Sequence, residues 1–254
     1  MSKNQINVSG VNETFAKILA EETRLISEDD ATRGDEENFA LVCYQVLNEA
    51  SWIKLEPDNF FFSLFLTQVR KHAGLSILSV ARQHHVQALL DLRQTIEAAT
   101  WMLFAMEHKE PTAFFMVDER GAATVTDAHK NRMRKWLDDG WSAGSSSLKT
   151  MKKAINGTCA HADVTYALNN FNTENFSFTF FDQMDGPMKR SDFFFIGTCL
   201  WQIMDLAYGI NQKHKAIEFS AEFVPTMKSL KAHMERLRTE NVAENQALKV
   251  LGGK

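Results

Sequence analysis

Apolar positions recur along this chain at helical spacing, and they do so in long runs. Residues 11–27 read as an amphipathic helix. Residues 36–54 read as a second one, with Phe39, Val42, Cys43, Val46, Leu47 and Ala50 in register. Pro57 and Asp58 interrupt the pattern. An apolar run then begins at Phe60 and continues to about Ala81. A further helix covers roughly 84–108 and stops before Pro111. Short helices follow at 127–138 and 146–155, joined by GWSAGSSS, which reads as a flexible connection. Asn156-Gly157 is a helix stop, and Thr158 can cap a next helix over 159–170. NFSFTFF, residues 175–181, alternates phenylalanine with small polar residues and predicts a strand. Helices at about 191–214 and 217–240 complete the pattern, with a loose tail over 241–254.

Four prolines and twelve glycines in 254 residues leave few breaks between helices. The expected fold is mainly α: an antiparallel helical bundle with at most one short strand or hairpin near 175–190. No internal repeat or Pro/Gly/Ser-rich linker divides it, so residues 1–254 are read as one domain. Its parts are N-terminal helices (11–54), a long helical core (60–108), basic helices with a histidine segment (127–171) and C-terminal helices (191–240).

Charge adds little globally: the net is −4, with 24% charged residues, so no overall pull toward nucleic acid or acidic membranes exists. Locally it is uneven. Residues 13–37 hold nine carboxylates against Lys17, Arg24 and Arg33. The middle of the chain is basic, through Lys130, Arg132, Arg134, Lys135, Lys149, Lys152 and Lys153. Solvated helix faces account for both regions. The sharper readings are a phosphate-contacting face on the basic region, with RNA as ligand, or docking of the two regions between subunits. The apolar run from Asp192 to Ile210 is long enough to span a bilayer, but Gln202 and Asp205 lie inside it. A buried core helix is expected there, and no membrane partner. Cys43, Cys159 and Cys199 are far apart and form no CxxC pair, which fits free thiols in a cytoplasmic protein. MSKNQINVSG carries no apolar signal region.

Candidate chemistry is concentrated in LLDLRQTIEAATWMLF, Leu89 to Phe104. On a helical wheel, Val86, Leu89, Leu90, Ile96, Trp101, Leu103 and Phe104 form one apolar arc, and Arg93 and Glu97 fall inside it. Gln87, Asp91, Gln94 and Thr95 fall opposite. Arg93 and Glu97 are four apart, so they can meet. Three readings follow: a mutual pair that cross-links buried helices, the wall of a polar pocket, or a solvated pair where the helix is exposed. His161 shares a face with Val164, Leu168 and Phe171 near a helix start, where a neutral imidazole is favoured. It could join the pair as a third member. His84 and His85 are adjacent and cannot share a face, and no HExxH spacing exists, so neither a metal nor any other cofactor is expected. Gly140–Gly144 matches GxSxG around Ser142, and Ser146 with Lys149 matches SxxK. No parallel sheet is predicted to present either as a nucleophile.

DLRQTIEAATWML resembles the Arg-x-x-x-Glu helix of a family of uncharacterised bacterial all-helical proteins, and INGTCAHADV, with His161, is similar to their downstream histidine segment. Asn156, Gly157 and Thr158 stand where that pattern often has Tyr and Ser. Such proteins lie near the HEPN class of small helical domains, many of which are metal-independent ribonucleases of toxin or anti-phage systems. The HEPN signature is Arg, four to six residues, then His on one helix, and no arginine here has a histidine at that spacing. Two functions are expected. The first, favoured by the negative motif census, is a non-catalytic interaction or sensor component of a bacterial defence or stress system, with a buried Arg93–Glu97–His161 network and a protein partner or second copy. The other is a ribonuclease using Arg93 and His161. An open pocket around Arg93, or none, separates them.

Overall fold

The computed structural model describes residues 8–31, 33–49, 51–52, 57–159, 170–172, 177–182 and 184–252. Eight helices are named here in chain order: α1 (Val8–Ala31), α2 (Asp35–Glu49), α3 (Phe60–Ala81), α4 (His85–Phe104), α5 (Asp127–Gly140), α6 (Ser142–Cys159), α7 (Gly186–His214) and α8 (Phe223–Gly252). The fold is mainly α, as the hydrophobic pattern predicts. Among the described residues, strand structure is confined to three antiparallel two-residue ladders. They pair β1 (Ser51–Trp52) with β6 (Glu218–Phe219), β2 (Met116–Val117) with β3 (Ala123–Thr124), and β4 (Phe171–Asn172) with β5 (Ser177–Phe178). The last of these includes part of the phenylalanine-alternating segment.

Helix α4 is the centre, packing against α3, α5, α6 and α7. It forms an antiparallel hairpin with α3 across a short turn in which Gln83 takes a left-handed φ of 59°. Phe65 stacks on Trp101 at one end of the hairpin, and Ser76 donates to the Ala88 carbonyl (2.7 Å) nearer the turn. Helix α2 runs alongside α7 in the same direction: Phe39 and Ala40 meet Gly197, and Val46 and Leu47 lie with Ile203 and Met204. The β1–β6 ladder ties the end of α2 to the α7–α8 connection. Helix α7 is long and apolar enough to cross a membrane. Its Phe193, Ile196, Leu200 and Ile203 are buried in the protein core.

Several boundaries differ from the sequence reading. GWSAGSSS is no flexible connection: Ser142 begins α6, and the helix runs past Asn156-Gly157 to Cys159. Burial of Ser145, Leu148 and Ile155 supplies the packing energy that overrides weak local propensity. Gly144 is there for contact, because a Cβ on it would come within 2.7 Å of the Leu206 side chain on α7. Helix α2 ends at Glu49 rather than 54, since Ser51 and Trp52 are taken into the β ladder. Residues 241–252 continue α8 instead of forming a loose tail, as Ala, Glu, Gln, Leu and Lys favour helix up to the final glycines. The helix read over 159–170 lies largely outside the described residues.

Close approach is also what α2 and α7 require. A Cβ at Gly197 would stand 2.5 Å from the Phe39 ring and 3.1 Å from the Ala40 backbone. Phe39 is fully buried, so the ring has no free space to retreat into. Gly197→Ala should therefore destabilise the protein by about 1–3 kcal/mol despite its better helix propensity. Chemical denaturation checks this; a stabilised variant would mean the two helices can separate freely.

Candidate functional site

The buried face of α4 is wider than the arc read from the wheel: Leu89, Ile96, Leu103 and Phe104 are in the core as that arc predicts, but so are residues from the other side. Asp91 and Thr95, placed opposite the apolar arc, are buried, together with Ala88, Leu92 and Ala99. This side is where α3 comes in, and small residues let the two backbones approach. Asp91 is held rather than solvated: His72 Nδ1 lies 3.0 Å away and Gln87 Nε2 donates at 2.8 Å. Thr95 returns its hydroxyl proton to the Asp91 carbonyl (2.9 Å).

Arg93 and Glu97 are correspondingly displaced from the interior to its margin. Their side chains keep 32% and 37% of their exposure, so they are not a buried cross-link. They do meet, with Arg93 Nε donating to Glu97 Oε1 at 3.3 Å. The same oxygen takes Lys152 Nζ of α6 at 2.5 Å. Burial pushes the Glu97 carboxyl upward, but the hydrogen bond and charge of Lys152, with the charge of Arg93, outweigh it and leave the group below its ordinary value. Glu97 is thus an anion at neutral pH, shared by two cations.

The trio opens onto a cleft of about 360 Å³ between α4, α5 and α6. Arg93, Glu97, Lys130, Arg134, Lys149 and Lys152 line it, over an apolar floor of Ile96, Met133, Leu137 and Leu148 with Trp101 and Thr100 at one side. Periodicity explains the gathering: Lys130 and Arg134 are four apart on α5, and Lys149 and Lys152 three apart on α6, so each pair shares a face. Lys149 is tied to Asp138 (2.5 Å), which also accepts from Ser145, and Lys130 to Asp127 (3.2 Å). Among the described residues Arg134 forms no ion pair. Counting Asp127 and Asp138 with Glu97, five cations still face three carboxylates.

Not every residue singled out from the sequence belongs to this group. Arg132 reaches toward Glu110 (3.7 Å) and Lys153 is exposed, and neither lines the cleft. His161 lies outside the described residues. Ser142 stands exposed at the start of α6 with no strand before it, so it is not at a nucleophile elbow. Among the described residues no three His, Cys, Asp or Glu side chains gather as metal ligands. Cys43 and Cys199 are buried free thiols, and burial pushes both well up, Cys199 to about 12. The sequence reading missed several histidine–carboxylate pairs, among them His72 with Asp91 and His85 with Asp192. Their partners are 19 and 107 residues away, so no local spacing betrays them.

The two carboxylates of α4 should respond oppositely to the sequence reading. Asp91→Ala removes a buried carboxylate that holds the half-buried His72 and should cost about 2 kcal/mol. Glu97→Ala removes a half-exposed ion pair and should cost about 1 kcal/mol or less. Urea melts of the two variants at neutral pH compare them directly; equal losses would contradict the geometry.

Comparison with known protein families, with curated proteins and with solved structures finds no match to this chain.

Proposed function

We propose that this protein is a helical interaction or sensor component whose cleft binds a phosphate-bearing ligand of nucleotide size, free or as one residue of an RNA strand. The observation that carries this reading is the convergence of Arg93, Lys130, Arg134, Lys149 and Lys152 on one open cleft of about 360 Å³. Such a set neutralises phosphate charge and releases counterions on binding. Arg93 presents a planar fork suited to phosphate oxygens, whereas the lysines act as point charges. Glu97 holds Arg93 and Lys152 in place before the ligand arrives. An arriving phosphate competes with that carboxylate for both cations. Trp101 at the cleft wall offers an apolar surface for a sugar or base edge.

A ribonuclease is the second reading. The open pocket around Arg93 and its basic rim favour it, because a cation there could stabilise charge developing on a phosphodiester. It needs a proton-transfer group. Glu97, the carboxylate in the cleft lining, is ion-paired with its affinity for protons lowered.

Binding of inorganic phosphate, nucleoside mono- and triphosphates and a short single-stranded RNA, measured by fluorescence or calorimetry across salt concentrations, tests the first reading. Affinity should fall with salt. Arg134→Ala should weaken binding and reduce the salt slope for RNA by about 1, with thermal stability unchanged. Binding that ignores both salt and Arg134 would sink the proposal. The RNA mixtures also serve the second reading: EDTA-resistant cleavage lost in Arg93→Ala would make the protein a nuclease.

A further inference from the structure

Helices α4 and α6 run antiparallel, and the cationic cleft occupies one end of their seam. The other end holds a separate cavity of about 330 Å³. His85, the first residue of α4, forms part of its wall with Asp192 of α7. The two side chains pair across 107 residues of sequence, His85 Nδ1 to Asp192 Oδ2 at 2.6 Å, and each residue keeps only 6% of its exposure. With Nδ1–H donating to the carboxylate, the lone pair of the neutral ring sits on Nε2. That nitrogen has no hydrogen-bond partner among the described residues. Burial holds the Asp192 carboxyl above its ordinary value, against the pull of the His85 hydrogen bond and charge, and the nearby Asp182 adds to the rise.

The rest of the wall decides which chemistry such a base could serve. Leu89, Ile155, Met188 and Phe195 are apolar, and Thr158 and Ser191 add hydroxyls. Among the described residues no lysine or arginine lines this cavity. Phosphoryl transfer spreads charge over several oxygens and calls for cations or metal ions. Acyl transfer develops one oxyanion, for which hydrogen-bond donors suffice. Donors are at hand. The Thr158 hydroxyl is committed to the Ala154 carbonyl (2.7 Å), but Ser191 is exposed. The first turn of α4 has no side-chain cap, so its leading N–H groups are unclaimed by one.

We propose that His85 and Asp192 form a general-base dyad that hydrolyses a carboxylic ester with a small apolar acyl group. In the first step His85 Nε2 takes a proton from water as the water oxygen bonds to the carbonyl carbon. Asp192 keeps the ring in the required tautomer and offsets the imidazolium charge. The tetrahedral intermediate then collapses, the carbon–oxygen bond to the alcohol breaks, and Nε2 returns the proton to the departing oxygen. A carboxylic acid and an alcohol leave, and His85 is neutral again. His85 and Arg93 are eight positions apart on α4, about 12 Å along the axis. This site therefore acts independently of a phosphate in the cleft.

The full chain would be assayed with p-nitrophenyl acetate and p-nitrophenyl butyrate from about pH 5 to about pH 8.5, across the histidine range. Hydrolysis should exceed the buffer rate and rise with pH. Asp192, with Asp182 behind it, supplies the charge facing His85, and among the described residues no other titratable side chain lines the cavity. His85→Gln should lose about 100-fold or more in rate, and Asp192→Asn should lower the rate and shift the pH profile. A purely structural pair would change the melting temperature and leave no such profile. Ala154→Trp, at an exposed position on the cavity wall, should block hydrolysis without touching the dyad. Wild-type rates equal to buffer would overturn the assignment. So would rates that survive in folded His85→Gln or in Ala154→Trp.

Discussion

Helix α4 must be buried on most of its circumference, and the rest of the structure follows from how its polar residues are accommodated. It packs against four helices at once. Asp91, Thr95 and His85 nonetheless sit on its buried positions. Each is satisfied from a different direction: Asp91 by His72 of α3, Thr95 by its own helix backbone, His85 by Asp192 of α7. Burying such groups is tolerable only with these partners, since an unpaired polar atom inside a protein costs free energy comparable to a lost hydrogen bond. The polar pairs therefore fix the rotation of α4 about its axis. A turn of the helix that took Asp91 and His85 away from these partners would strand both.

That rotation is what creates the cleft. With Asp91 and Thr95 facing α3, the Arg93–Glu97 row comes to the margin, where α5 and α6 rise on either side. Helix α6 gets close because Gly144 lets it lie against Leu206 of α7. Its Lys149 and Lys152 then overhang α4. Leu148 and Ile155 on the same helix face inward and are almost fully buried. Anchoring apolar residues and projecting lysines thus alternate along one helix, and the first set positions the second.

The same seam separates two environments. At one end five cations crowd a cleft, and at the other the buried His85–Asp192 pair faces a mainly apolar pocket lined by no cation among the described residues. The difference is set by which residues of α6 lie opposite each stretch of α4: lysines near Glu97, and Ala154, Ile155 and Thr158 near His85.

The sequence by itself determined the helical class, the approximate position of nearly every described helix, and the meeting of Arg93 with Glu97, because all of these depend on residues a few positions apart. It also marked the basic segment whose Lys130, Arg134, Lys149 and Lys152 line the cleft, though not that Arg132 and Lys153 turn away. Only the tertiary structure decided that Asp91 and Thr95 of α4 are inside as well and that Arg93 and Glu97 lie at the margin. The wheel weighs side chains by apolarity, whereas a tightly packed helix pair selects small residues and rewards any polar group that finds a partner across the interface. Asp91 found His72, and His85 found Asp192, through contacts that no local pattern contains. The serine-rich GWSAGSSS stretch became helix for the same reason: packing against α7 at Gly144 outweighed what its own residues prefer.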